Sequence, residues 1–170
     1  MPTPGTPGTP GSPVTSPEGE TIHTIDIRKE IVIEATPEVV FETILEELGP
    51  GSQMPDGTPF PMKLEPWVGG RWYRDRGKSG GYEYGHLWGH VQVIKAPTLL
   101  ELTGPMPMSF PAMNHLQYRL KAEGNRTRLS LIHRGMGLIP QDFRDGMPEG
   151  WAHAVKRIKD VAEKKAKGRS

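Results

Sequence analysis

The residues in this sequence best suited to chemistry sit on runs that alternate polar and apolar side chains. Arg71-Trp72-Tyr73-Arg74-Asp75 follows Gly69-Gly70 and reads as a strand on which Trp72 and Arg74 share one face. If Trp72 turns inward, the Arg74 guanidinium turns with it, and burying an unpaired charge is costly. An anionic or carbonyl-bearing ligand would supply the pairing through bidentate hydrogen bonds, with Arg76 two positions on able to share the site. The alternative is a surface carboxylate at the open end of the sheet. His133 alternates with Leu129 and Leu131 and therefore points inward beside them. It reads either as a general base or a holder of a ligand oxygen, or as a core histidine bonded to a nearby carbonyl. No serine or carboxylate is placed beside it by spacing, so no catalytic set is assembled and no catalytic residue is assigned.

His86, Trp88, His90 and Gln92 fall on one face of a long strand, with Leu87, Val91 and Val93 on the other. The aliphatic face is the better candidate for the interior, which leaves Trp88 and both histidines outside. His86 and His90 are then about 13 Å apart, too far to share a metal ion. An exposed Trp88 marks either a protein contact or simple cross-strand packing. Met54, Met62, Met106, Met108, Met113, Met136 and Met147 all lie in or beside irregular segments. Such thioethers either line an adaptable pocket mouth or cover a small core. Pro105, Pro107 and Pro111 stiffen the middle irregular stretch against wide swings.

The elements that must position these groups follow from periodicity and punctuation. Residues 1–20 are built on Thr-Pro-Gly triplets and hold one large aliphatic residue, Val14, so they are expected to be disordered, as a solubilising tail or as a proline-rich ligand. Ile25, Ile27, Ile31 and Ile33 define a half-buried first strand. Thr36-Pro37-Glu38 opens a short helix with Val40, Phe41, Ile44 and Leu48 on its buried face, and Gly49-Pro50-Gly51 ends it. Residues 49–62 form a long loop. Strands follow over Arg71–Asp75, Tyr84–Ile94 and Leu99–Leu102, and a final hairpin turns at Glu123-Gly124-Asn125. The last element is an amphipathic helix opening at Gly150-Trp151, with Trp151, Val155, Ile158 and Ala162 on one stripe. Its tail carries Lys156, Arg157, Lys159, Lys164, Lys165, Lys167 and Arg169, expected to form a solvated face, and residues 167–170 are expected to be a disordered basic end.

Composition narrows the function classes. A chain of 170 residues with 35% hydrophobic content buries one core, so residues 21–166 are expected to be one domain. The net charge is +1, with no field of one sign to suggest a nucleic-acid partner. The absence of cysteine removes disulfides, thiolate nucleophiles and cysteine-ligated zinc together. No apolar run reaches the length of a membrane span and no signal-peptide pattern opens the chain, so a soluble cytoplasmic protein is expected. The sequon Asn125-Arg126-Thr127 carries no weight without secretion. No cofactor and no metal site is expected.

Three segments resemble the START-like, or helix-grip, superfamily, and most closely the branch related to the C-terminal domain of the activator of Hsp90 ATPase. They are Ile33–Phe41, similar to that family's approach to its first helix; Val68–Trp72, similar to its Gly-Gly strand start; and Thr127–His133 with Glu149-Gly150-Trp151, similar to its last strand and helix. The resemblance implies an α+β helix-grip fold: a curved antiparallel sheet of about six strands around a long C-terminal helix, with an apolar cavity between them. Members of the superfamily bind lipids, hormones or polyketides, a few catalyse cyclisation or hydrolysis, and one branch stimulates Hsp90. A separate N-terminal Hsp90-binding domain is not expected in this chain, and fold alone does not choose among these functions. The expected site combines apolar walls from Trp72, Leu129, Leu131, Trp151, Val155 and Ile158 with polar handles from Arg74 and His133. The expected partner is a small hydrophobic molecule, a lipid or an aromatic metabolite. A cyclase- or hydrolase-like enzyme using His133, and a co-chaperone or regulatory module using the face around Trp88, are the alternatives.

Overall fold

In a computed structural model that describes residues 19–169, the alternating runs become one seven-stranded antiparallel sheet. The elements in chain order are β1 (His23–Ile33), α1 (Pro37–Leu48), β2 (Lys63–Leu64), β3 (Arg71–Ser79), β4 (Tyr82–Lys95), β5 (Leu99–Gly104), β6 (Ala112–Glu123), β7 (Arg126–Gly137) and α2 (Gln141–Gly168). Spatial order is β1-β7-β6-β5-β4-β3-β2, so β1 leaves its successor through α1 and pairs with β7 at the far edge. The seventh strand, β2, is a two-residue edge piece opposite Trp72 and Tyr73, too short for sequence periodicity to reveal. Of the tail expected at residues 1–20, residues 1–18 lie outside the described residues.

The core sits between the concave sheet face and the two helices. Val40, Phe41, Ile44 and Leu48 of α1 and Val155, Ile158 and Ala162 of α2 pack on Leu100, Leu102, Leu116, Tyr118, Leu129 and Leu131 from the sheet. Thr36 stands at the start of α1 without a side-chain cap bond, and Pro37 takes the first helical position as expected. Thr127 on β7 donates its hydroxyl to the Ala35 carbonyl at 2.7 Å, tying the turn before α1 to the sheet.

α2 begins nine residues before the expected start, at Gln141 rather than Gly150. Gly146, Pro148 and Gly150 read as breakers, yet all three lie within the helix. Tertiary packing decides the matter. Phe143 and Met147, four residues apart on one face, cover a second cluster made by Ile25, Ile27, Met108 and Ile139, with Phe110 edge-on to Phe143 at 5.3 Å. At the other end Lys167 and Gly168 form the last turn, and three of the tail's seven cations are bound to α1 while Lys156, Lys164 and Lys167 stay on the expected solvated face. Arg157 pairs with Glu47 at 2.6 Å, Lys165 with Glu46 at 2.6 Å and Arg169 with Glu42 at 3.1 Å.

β4 departs most from an ideal strand. Trp72 is opposite Gly89 while Tyr73 is opposite Leu87, so Trp88 is an extra residue, and a second register shift on the β5 side passes over Gln92. Gly89 and Gly104 permit this: a Cβ on Gly89 would stand 2.5 Å from the Thr103 carbonyl oxygen, and one on Gly104 would stand 2.4 Å from that of Trp88. The two backbones approach as only glycines allow.

Candidate functional site

Between the sheet, the end of α1 and the middle of α2 lies a cavity of about 340 Å³. Its floor is the sheet, through Trp72, Trp88 and Tyr118, and its roof is the face of α2 from Gly150 to Ile158, including Trp151 and Ala154. The loop after α1 closes the side with Met54, Pro55 and Phe60, and Pro107 closes the far end. This loop is no loose connection: Phe60 donates its backbone N–H to Ser52 at 2.8 Å and Met62 to Gly49 at 3.0 Å, folding the segment back against α1. The aromatic rings lock together, with Trp72 and Trp88 edge to face at 5.1 Å and Phe60 and Trp88 at 5.8 Å. The Trp72 indole is oriented by its N–H bond to the Leu48 carbonyl at 2.8 Å.

The bulge in β4 corrects the expected facing of Trp88. Period-two counting from Val91 places Trp88 outside, but the extra residue reverses the pleat, so Trp88 and His86 turn toward Phe60 and Trp72 while Leu87 is left 42% exposed. A glycine inside a strand, Gly89, was the available sign. His90 stays on the outer surface. Among the described residues no group of three or more His, Asp or Glu side chains is placed to hold a metal ion.

The eight residues expected at the site are distributed over three places. Trp72, Trp151 and Ile158 line the cavity. Leu129, Leu131 and Val155 are buried in the packed core beside it. Arg74 and His133 are outside its lining. Arg74 stacks its guanidinium on the Phe60 ring at 3.6 Å and lines a larger, more polar depression of about 590 Å³ along the β3–β4 hairpin. In that place it packs on a residue of the cavity wall.

His133 is fully buried and both of its ring nitrogens are engaged. Trp151 donates its indole N–H to Nδ1 at 3.0 Å, so the proton sits on Nε2, which donates to Asn114 Oδ1 at 2.8 Å. Asn114 in turn donates to the Gly104 and Pro105 carbonyls, each at 3.3 Å. Burial disfavours the charged ring and lowers its pKa to about 4. Of the two sequence readings, this is the bonded core histidine, and its effect on the cavity is indirect: it fixes the Trp151 ring. Of the described methionines, Met54 alone lines the cavity, Met62 and Met106 belong to the main core, Met108 and Met147 to the second cluster, and Met113 and Met136 are exposed.

The polar groups that do belong to the cavity escaped sequence reasoning. Glu47 and Arg157 pair at its rim with only 12% and 30% of their side chains exposed. Tyr118, on the inward face of β6, is 1% exposed, and burial together with the Glu47 charge holds its phenol well above the usual range, hence protonated. The buried Trp88 indole N–H has no acceptor among the described residues.

The fold has many solved relatives. An uncharacterized protein from Rhizobium leguminosarum superposes with a TM-score of 0.63 at 11% identity over 85% of this chain and 97% of its own. The Mll3558 protein from Rhizobium loti does so with 0.61 at 18% identity over 83% and 99%. The Aha1 dimer from Colwellia psychrerythraea gives 0.54 at 18% identity over 82% and 96%. No curated protein matches the chain. The family described as Activator of Hsp90 ATPase homolog 1-like protein matches residues 34–163, the whole span from the turn before α1 to the last turns of α2, and the chain belongs to that family.

Proposed function

We propose that this protein binds a small hydrophobic molecule, a lipid fragment or an aromatic metabolite, in the cavity between the sheet and α2. The observation that carries the reading is the convergence of Trp72, Trp88 and Trp151, from two strands and a helix, on one space of about 340 Å³, within the size range of small-molecule sites. A core built only for stability would fill that space, because interiors pack to crystal-like density. Phe60, Met54 and Ile158 complete an apolar wall, Leu129, Leu131 and Val155 back it, and Arg74 steadies Phe60 from outside.

His133 supports a structural role: with both nitrogens bonded and its proton affinity reduced, it lacks what a general base needs. The regulatory reading would use the exposed apolar side chains Trp67, Val68, Tyr82 and Tyr84, since Trp88 is turned inward. The test of the binding reading is native mass spectrometry of the protein isolated from its own host, followed by titration with a lipid and aromatic panel. A bound small molecule, or micromolar affinity lost in Ala154→Phe, is the expected result. Protein that is empty from its host and indifferent to the panel would refute it.

A further inference from the structure

Resting on that reading, we infer that the cavity selects uncharged ligands that carry a hydrogen-bond-accepting oxygen, held by the Trp88 indole N–H and the Tyr118 hydroxyl. A ketone, ester or amide on an apolar ring system has this chemistry.

The argument begins with the bond that Trp88 lacks. Every other buried side-chain N–H or hydroxyl described has its partner: Trp72 bonds Leu48, Trp151 bonds His133, Thr43 bonds Val39 and Thr127 bonds Ala35. The Trp88 N–H, also buried, has none among the described residues. Trp88 and Tyr118 line the same cavity, from β4 and β6 with β5 between them. A buried donor without an acceptor is costly, so a guest that offers one gains the bond and relieves the penalty together. The phenol is kept protonated by burial and by Glu47, so it remains a donor.

Charge selects against the anionic version of such a ligand. Arg157 is the cation of the cavity lining, and Glu47 already occupies it at 2.6 Å. A carboxylate entering the cavity would meet Glu47 as a like charge and would find no unpaired guanidinium in the lining, which Arg74 does not join. Discrimination therefore combines an attractive pair of donors with a repulsive rim.

Isothermal titration calorimetry with three probes of one shape tests this: 2-acetylnaphthalene, 2-ethylnaphthalene and 2-naphthoate. In the unaltered protein the ketone binds at least tenfold more tightly than the carboxylate. The ratio of ketone to hydrocarbon affinity then falls about tenfold in Trp88→Phe or in Tyr118→Phe, the size expected from one hydrogen bond. Tyr118→Phe removes a single oxygen and keeps the test alive should Trp88→Phe fold poorly. Hydrocarbon and ketone that both bind, with a ratio unchanged in both variants, overturn the donor assignment and leave the cavity reading standing. Carboxylate binding equal to that of the ketone overturns the exclusion of anions. Failure of all three probes to bind overturns the inference and counts against the cavity reading as well.

Discussion

At the scale of single residues, His133 shows how much a side chain's role depends on its partners. Its inward direction is legible from the alternation Leu129, Leu131, His133, but Asn114 and Trp151 are each almost twenty residues away and no local pattern announces them. The sign of its pH effect follows from geometry. The ring ionises near pH 6.5 in the unfolded chain and near 4 in the folded one, so its contribution is complete above about pH 6.5 and disappears as the pH falls toward 4. The loss amounts to about 3 kcal/mol when complete. Urea denaturation between pH 7 and 4.5 should show falling stability, and His133→Gln, less stable at pH 7, should show a shallower slope over the same interval. A parallel slope in the variant would assign the acid sensitivity elsewhere. Trp88 illustrates the opposite case, where counting by twos is correct as a rule and wrong at this site because one extra residue reverses the faces.

Among the elements, α1 and the hairpin of β6 and β7 are fully readable, since periodicity, a proline at the helix start and turn residues agree. The long helix is readable only from Trp151 onward. Its first turns exist because Phe143 and Met147 cover the second apolar cluster, a tertiary gain that outweighs the poor helix formers around them. Pro148 still leaves the Arg144 carbonyl without its helical donor, so Pro148→Ala should raise stability by about 1 kcal/mol or more in urea denaturation. An unchanged or lower midpoint would mean that the first turns are bent to fit the cluster. At the crossing of β4 and β5, Gly104→Ala should cost about 2 kcal/mol, because the new Cβ meets the β4 backbone at Trp88 and Gly89, which cannot rotate away as a side chain could. A neutral effect would show the two strands able to separate at the bulge.

For the molecule as a whole, the resemblance carried by three short segments led to the right architecture, yet the cavity's lining was only partly foreseen. Trp72, Trp151 and Ile158 were within reach because strand and helix stripes point them inward. Met54 was reached only as one of seven methionines offered for a pocket mouth, and Phe60 and the Glu47–Arg157 pair were not reached, since a loop without period and an ion pair 110 positions apart in sequence leave no local signal. Because the lining is drawn from elements distributed along the chain, a guest would stabilise the entire fold. Saturating 2-acetylnaphthalene at one hundred times its dissociation constant should add about 2.7 kcal/mol, visible as a rise of several degrees in Tm, and Ala154→Phe should abolish the rise without lowering the starting Tm by more than a few degrees. A rise that survives in Ala154→Phe would place the binding elsewhere.

The doubled residue in β4 also governs how this protein is compared with its kin. A homologue whose fourth strand is one amino acid shorter would show the interior whatever occupies the place of Leu87, and an ungapped alignment would equate a wall of the chamber with a solvent-facing position. Inheritance of ligand preference within the family therefore has to be reckoned outward from Gly89, with the gap set there before any aromatic is declared equivalent.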